Sequence, residues 1–284
     1  HSTGTPLSWN RYISGPPSLC SGSTGNVYST APGMTNYIWA VSPGGTITAG
    51  GTVTDTSVTV TWSGTGTRTV SVIYTDINNC TANTPTVYNV TVNPIPDATA
   101  TPASQTICSE NAITPVILTG SVPGTIFNWT RDNTVAVTGI AASGSGDITG
   151  TMTNTTASPV IVTFTITPSY NGCPGSPITA TVLVNPKPSV NPVSNVTYCN
   201  GATTIIISFT GPVAGTTYTW TNSNPAIGLP ASGTGDIPSF TATNPGSSPL
   251  VAIITVTPAA NGCEGPGITF TITVNPANTI TLTS

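Results

Sequence analysis

Residues 160–186 have the sequence VIVTFTITPSYNGCPGSPITATVLVNP, and residues 250–276 have the sequence LVAIITVTPAANGCEGPGITFTITVNP. Both stretches contain an alternating strand, an Asn-Gly-Cys turn, a second alternating strand and a closing Val-Asn-Pro. Upstream of them, at the same offset of about 90 residues, the chain repeats a cysteine, a tryptophan and a Gly-Asp-Ile. So many positions repeating together predict tandem copies of a whole domain rather than a solenoid of short units.

A weaker copy precedes these two and ends at Val92-Asn93-Pro94. Three units of this size suit the length of the chain. The predicted domains are 1–93, which includes an N-terminal extension, 94–185 and 186–276, with 277–284 as the start of a further repeat or a free strand. We interpret the start at His1 as a removed signal or an excised piece, and the alternation in 278–284 favours the excised piece.

Apolar residues alternate with threonine in many short runs, such as residues 58–62 and 268–274. This period of two predicts strands with one buried face, and threonine suits the solvated face. The middle unit is predicted to have seven strands, near residues 97–101, 115–119, 125–130, 133–138, 147–153, 159–167 and 177–185. Seven short strands separated by turns are typical of an immunoglobulin-like sandwich. The predicted fold class is therefore all-β, a tandem array of three immunoglobulin-like β-sandwich domains.

One tryptophan recurs in a short apolar strand of each unit, as Trp39, Trp129 and Trp220. We expect these three side chains to anchor the cores, because an aromatic ring buried between two sheets removes a large apolar area from water. Exposed platforms for a ligand are the alternative.

Six cysteines fall two to a unit. Equal spacing predicts three disulfides within domains, in an oxidising, extracellular setting. The predicted pairs are Cys20–Cys80, Cys108–Cys173 and Cys199–Cys263, each expected to join loops at one end of its sandwich. Zinc is not expected, because the chain has neither a Cys-x-x-Cys pair nor a companion histidine.

The links between units carry prolines in alternate positions, Pro94-Ile95-Pro96 and Pro186-Lys187-Pro188. Proline fixes φ and holds such links extended, so we expect the array to be a stiff rod.

Composition excludes several classes of protein. Only 4% of residues are charged, and no apolar run is long enough to span a membrane, so membrane insertion is not expected. The hydrophobic fraction of 37% is patterned, which argues against disorder despite 27 prolines and 29 glycines. The four basic residues are far apart, so nucleic acid is not expected as a partner.

The sequence offers no catalytic constellation. The single histidine is His1, and the eight acidic residues are scattered, so we expect no enzyme activity and no cofactor. Asp147 and Asp236 repeat within a Gly-Asp-Ile, but one carboxylate each is too few for calcium. We interpret them as turn residues that accept from backbone amides.

Trp9, Arg11 and Tyr12 lie outside the repeated pattern. They are a candidate binding patch for a sugar or a neighbouring protein. The alternative is a terminal strand or a cap on the first domain.

The order Cys, Trp, Asn-Gly-Cys and Val-Asn-Pro, in a threonine-rich chain with few charges, resembles the PKD-like and other Ig-like repeats of giant Bacteroidota surface proteins. Residues 58–62 and 74–80 give the first unit its PKD-like character, and residues 275–284 resemble a repeat junction in gliding-motility adhesins of the SprB type. The resemblance implies export by type IX secretion, anchoring at the outer surface, and attachment or movement as an extended fibre.

These observations together predict a structural stalk segment of a secreted, repetitive cell-surface adhesin, associated with the outer membrane, whose partners are neighbouring repeats. Self-association into fibres and binding of surface glycans or polysaccharide are further candidate interactions. Two alternatives remain open. One is a filament subunit, in which residues 1–19 or 277–284 complete a sandwich in the next molecule. The other is a carbohydrate-binding array of a secreted polysaccharide-degrading enzyme.

Overall fold

The computed structural model describes residues 11–277, and these form β-strands, turns and one short 3-10 helix, Pro225–Ile227. The prediction of an all-β chain of tandem immunoglobulin-like sandwiches is confirmed. No helix in this part of the chain is long and apolar enough to cross a bilayer. The chain divides into two compact units, one of residues 1–100, 118–129 and 165–178, the other of residues 101–117, 130–164 and 179–284.

The first repeat contains seven strands: β1 (Ser18–Cys20), β2 (Asn26–Ser29), β3 (Thr35–Val41), β4 (Gly45–Gly50), β5 (Ser57–Trp62), β6 (Gly66–Thr75) and β7 (Thr86–Asn93). They form two sheets, with the orders β1-β7-β6-β3 and β2-β5-β4. Alternate residues of β5 are buried, as its period of two requires. Trp62 at the end of β5 packs edge-on against Tyr28, and its Nε1 donates to the Tyr28 hydroxyl over 3.2 Å.

The second repeat contains eleven strands: β8 (Thr99–Thr101), β9 (Ser104–Cys108), β10 (Asn111–Ala112), β11 (Ile117–Thr119), β12 (Ile126–Arg131), β13 (Val137–Thr138), β14 (Ser143–Ser145), β15 (Thr151–Asn154), β16 (Val160–Tyr170), β17 (Cys173–Pro174) and β18 (Ile178–Asn185). The sheet orders are β14-β12-β16-β18-β9, with β17 on β16, then β10-β15-β13 and β11-β8. All seven predicted strands overlap observed ones. The sequence prediction missed β9, which carries Cys108, and the short strands β10, β14 and β17.

The third repeat contains six strands: β19 (Val196–Cys199), β20 (Thr217–Asn222), β21 (Ser232–Thr234), β22 (Leu250–Ala260), β23 (Cys263–Glu264) and β24 (Ile268–Asn275). They form one sheet of order β19-β24-β22-β20-β21, with β23 on β22. Isolated bridges join Thr203 to Thr241 and Ile207 to Ile237. Alternate residues of β22 and β24 are buried in one core with Trp220.

Each of the three repeats pairs the strand that carries its first cysteine in parallel with its last strand. These pairs are β1 with β7, β9 with β18 and β19 with β24. The register places the first cysteine of every repeat beside the asparagine of its Val-Asn-Pro. The cysteine-asparagine neighbours are Cys20 and Asn93, Cys108 and Asn185, and Cys199 and Asn275.

The three repeated tryptophans are buried. Trp39 and Trp129 are each 8% exposed and Trp220 is 4% exposed. The Trp39 Nε1 donates to the carbonyl oxygen of Asp55 over 2.9 Å. Trp220 on β20 lies opposite Gly233 on β21, and a Cβ built on Gly233 would overlap the indole ring. A glycine is therefore required where the ring crosses the neighbouring strand.

Gly233→Ala tests this packing. We expect the substitution to lower the free energy of unfolding by about 1–3 kcal/mol, because the added methyl group forces the indole out of its place in the core. Calorimetry of the full chain measures the change. Ser232→Ala is the matched control on the same strand, and it should change stability by less than about 0.5 kcal/mol. Equal stability of the two variants would contradict the packing.

Candidate functional site at the repeat junctions

Two disulfides are present among the described residues, which include all six cysteines. They are Cys20–Cys173 and Cys108–Cys263, with Cα atoms 5.6 Å apart in both. Cys80 and Cys199 are exposed free thiols. The predicted pairs Cys20–Cys80, Cys108–Cys173 and Cys199–Cys263 are therefore wrong. Each observed bond joins the first cysteine of one repeat to the hairpin cysteine of the next repeat.

The physical reason is that the two cysteines of a repeat lie at opposite ends of its sandwich. In the third repeat, Cys199 lies beside Asn275, level with the Leu250 end of β22. Cys263 pairs with Ala260 at the other end of that strand. Ten residues of strand separate these ends by about 33 Å, whereas a disulfide spans Cα atoms up to about 7 Å apart.

The hairpin cysteines are held by two-residue turns, as the Asn-Gly pairs predict. Asn171 and Gly172 have φ of 46° and 81°, and Asn261 and Gly262 have φ of 53° and 76°. Two successive left-handed residues suit the tightest hairpin loop, and the cysteine follows directly after it. The hairpin tip therefore presents the sulfur in the same way in both repeats.

An asparagine beside each disulfide ties the two repeats together. Asn171 Nδ2 donates to Asn93 Oδ1 over 3.2 Å at the first junction. Asn185 Nδ2 donates to the Asn261 carbonyl oxygen over 2.9 Å at the second. Asn93 and Asn185 are 4% and 6% exposed, so both amides are buried by the incoming hairpin. The asparagine of Val-Asn-Pro therefore takes part in the contact between repeats, in addition to standing at the start of the linker.

A glycine two residues after each hairpin cysteine allows the hairpin to approach the linker. A Cβ on Gly175 would overlap the carbonyl oxygen of Pro96, and a Cβ on Gly265 would overlap that of Pro188. The Pro-x-Pro linkers thus serve as a surface against which the next hairpin packs. All residues of the first junction lie in the unit that contains residues 1–100, and those of the second lie in the other unit.

The second junction also contains an ion pair. Lys187 Nζ lies 2.7 Å from Glu110 Oε2. Both side chains border a pocket of about 510 Å³ that is also lined by Glu264, Gly265 and Pro266. Because both charges are partly exposed, the pair contributes little stability, about 0–1 kcal/mol. No group of three or more metal-binding side chains occurs within residues 11–277.

Sequence reasoning missed the asparagine, glycine and proline components of the junctions. A signal was available, because Cys-x-Gly recurs as Cys173-Pro174-Gly175 and Cys263-Glu264-Gly265. The first repeat departs from it, with Ala82 two residues after Cys80. Glycines that recur at one offset indicate a close backbone approach.

The repeated aspartate at Asp236 is a turn residue in the described structure. Its Oδ1 accepts from the Phe209 amide over 3.0 Å. This hydrogen bond, together with one from the Ser208 side chain, lowers the pKa of the Asp236 carboxyl. The interpretation of Asp236 as an acceptor for backbone amides therefore holds in the third repeat.

The candidate patch at the N-terminus is only partly described. Trp9 lies outside the described residues. Arg11 is exposed, and Tyr12 is 46% exposed while its carbonyl oxygen accepts from Thr30 Oγ1 over 2.7 Å. The backbone of Tyr12 is thus tied to the first sandwich, and binding by the patch stays a prediction.

Gly265→Ala tests the junction. The added methyl group collides with the Pro188 carbonyl, and a cost of about 1–3 kcal/mol would make Cys108–Cys263 about 5 to 150 times faster to reduce. Timed reduction, alkylation and peptide mapping measure the rate of each bond separately. Cys20–Cys173 is the internal control and should keep its rate of reduction. In Gly175→Ala, we expect Cys20–Cys173 to be reduced faster and Cys108–Cys263 to keep its rate. Unchanged rates for both bonds in both variants would contradict the close approach.

Two regions of the chain match models of known protein families. Residues 105–188 match one model described as a PKD-like domain, and residues 6–90 match a second model with the same description. No curated protein matches the chain.

Solved structures of immunoglobulin domains also match the chain, at TM-scores below 0.5. One is Sidekick-1 immunoglobulin domains 1-5, at 15% identity and a TM-score of 0.35, covering 95% of this chain and 60% of that chain. Another is Dpr2 Ig1-Ig2 in complex with DIP-Theta Ig1-Ig3, at 10% identity and a TM-score of 0.47, covering 93% and 99%. The chain therefore contains PKD-like domains over residues 6–90 and 105–188, which together make up more than half of its sequence.

Proposed function

We propose that this chain is a stalk segment of a secreted, repetitive cell-surface adhesin of the SprB type, and that its work is mechanical. Tandem PKD-like and Ig-like domains are suited to an extracellular adhesion or structural repeat module. The observation that carries the proposal is the pair of disulfides that joins each repeat to the next. Such a segment would hold binding regions away from the outer membrane, for attachment or gliding.

The disulfides give tension a short path through the chain. A pull on the N-terminus reaches Cys20 and crosses to Cys173, and a pull on the C-terminus reaches Cys263 and crosses to Cys108. Three stretches of chain then connect these two bonds in parallel, namely residues 20–108, 108–173 and 173–263. Because the load is shared among them, no repeat can be extended alone to its full length.

The chemistry of the surface agrees with an extracellular position. Disulfides persist in oxidising compartments, and this chain carries two among 284 residues. Threonine-rich strand faces solvate the protein with hydroxyl groups, and few charges are present to attract polyelectrolytes. These properties suit a spacer that is exposed to many molecules.

The two alternative functions receive less support. In the filament hypothesis residues 1–19 are free to complete a sandwich elsewhere, but Ser18 and Leu19 of β1 pair with β7 of their own repeat. In the carbohydrate-binding hypothesis solvent-facing aromatic rings are needed. Among residues 11–277, Tyr12 at 46% is the one aromatic residue that is exposed, and the others are buried or half-buried.

Stretching single molecules by both ends tests the mechanical role. With both disulfides intact, the shortest covalent path comprises residues 1–20, 108–173 and 263–284, so we expect a maximum extension of about 370 Å. After reduction the whole chain extends to about 980 Å. Force spectroscopy with and without a reductant measures both lengths.

Two variants serve as controls in the same measurement. Cys173→Ser should lengthen the path to residues 1–108 and 263–284, or about 450 Å, whereas Cys80→Ser should leave about 370 Å unchanged. A longer extension in Cys80→Ser would contradict the load path, because it would place Cys80 in a load-bearing bond. An extension that does not change on reduction would contradict the mechanical role altogether.

A further inference from the structure

Cys199 occupies the same backbone position as the two cysteines that accept a hairpin. Its strand pairs in parallel with β24, and the Asn200 amide donates to the Asn275 carbonyl oxygen over 2.9 Å. The equivalent bonds are Ser21 to Asn93 and Ser109 to Asn185, both 2.8 Å. We call the first cysteine of a repeat, its strand and the asparagine beside it the accepting half of a junction. This arrangement is present three times in the chain.

The third accepting half differs from the other two in its cover, and its linker reads Pro276-Ala277-Asn278 where the other two read Pro-x-Pro. Cys20 and Cys108 are partly buried by their disulfides, while Cys199 is exposed. Asn93 and Asn185 are buried under a hairpin, while Asn275 is only half-buried. At the other two junctions, the equivalent cysteine is bonded to a hairpin and the equivalent asparagine is hydrogen-bonded to it. In the third repeat, Cys199 and Asn275 thus lie at the surface.

We propose that Cys199 is a covalent docking site for the Asn-Gly-Cys-x-Gly hairpin of a further PKD-like repeat. The inference rests on the proposed function in one respect, since it requires that such a repeat follow or meet this one. The occupant is defined by the two existing junctions. It has two left-handed residues, a cysteine directly after them, and a glycine that clears the linker carbonyl.

Cys80 of a second copy fits this site less well. Cys80 lies inside a longer loop, where the Asp76 amide donates to the Cys80 carbonyl oxygen and Thr75 pairs with Thr81. Ala82 also stands where Gly175 and Gly265 clear the linker. The Asn-Gly-Cys-x-Gly hairpin is therefore the favoured occupant, and a second copy is an outcome for the test.

Bond formation needs an oxidant, and a small-molecule disulfide such as oxidised glutathione supplies it. The Cys199 thiolate attacks that disulfide, forms a mixed disulfide and releases one glutathione thiol. The incoming cysteine thiolate then attacks the Cys199 sulfur and releases the second glutathione. Two protein thiols are oxidised to one cystine, and one glutathione disulfide is reduced to two thiols.

The test extends the chain by one of its own repeats. Residues 1–275 are followed by a second copy of residues 186–275, so that the new junction has the same linker and hairpin sequence as the existing second one. The protein is folded in a glutathione redox buffer, alkylated and mapped without reduction. We expect a disulfide between Cys199 and the Cys263 of the added copy, with two free thiols remaining, at Cys80 and at the added copy's Cys199.

Variants of the added copy make the result specific. Cys263→Ser there should leave the first Cys199 fully alkylated, and Gly265→Ala there should lower the yield of the new bond by at least about fivefold. The proposal is overturned if Cys199 stays alkylated in the extended chain while Cys20–Cys173 and Cys108–Cys263 form. A Cys199–Cys80 bond between two copies of the 284-residue chain would overturn the choice of hairpin. Because mapping reads bond formation and not extension, this result is independent of the stretching experiment.

Discussion

The parallel pairing of the strand that carries the first cysteine with the last strand of each repeat is the constraint on which the covalent architecture depends. It carries the first cysteine of each repeat to the far end of the sandwich, beside the Asn of Val-Asn-Pro. The Asn-Gly hairpin fixes the second cysteine at the near end. A bond within one repeat is then geometrically excluded, and the sulfur meets the hairpin of the following repeat instead.

Stability in this chain therefore has two sources. Each sandwich buries its own core of alternating apolar residues, such as the cluster around Trp62 and the cluster around Trp220. The disulfides act over sequence separations of 153 and 155 residues, and in the chain-entropy model each closure contributes about 5 kcal/mol. The cores specify the repeats, while the disulfides connect them at junctions that also depend on an asparagine and a glycine.

Much of the fold was predictable from the sequence because alternation and turn residues are local signals. The strands of the second repeat, the Asn-Gly turns and the buried tryptophans each follow from a few adjacent residues. The disulfide pairing was not predictable in the same way, because β9 contains a single strongly apolar residue, Ile107, and was missed. Without that strand, the sequence pattern places Cys108 in a loop, and equal spacing within repeats favours Cys173, which is the wrong partner. The junction glycines were visible as a repeated Cys-x-Gly, but their purpose depends on a linker carbonyl that only the structure places.

The most direct measurement of the central claim is a count of free thiols and an identification of their positions. The unreduced, unfolded protein is alkylated, and its intact mass and peptides are then measured. The account predicts two alkylated cysteines, Cys80 and Cys199, with Cys20 linked to Cys173 and Cys108 linked to Cys263. A protein with no free thiol, in which Cys20 is linked to Cys80, would contradict it.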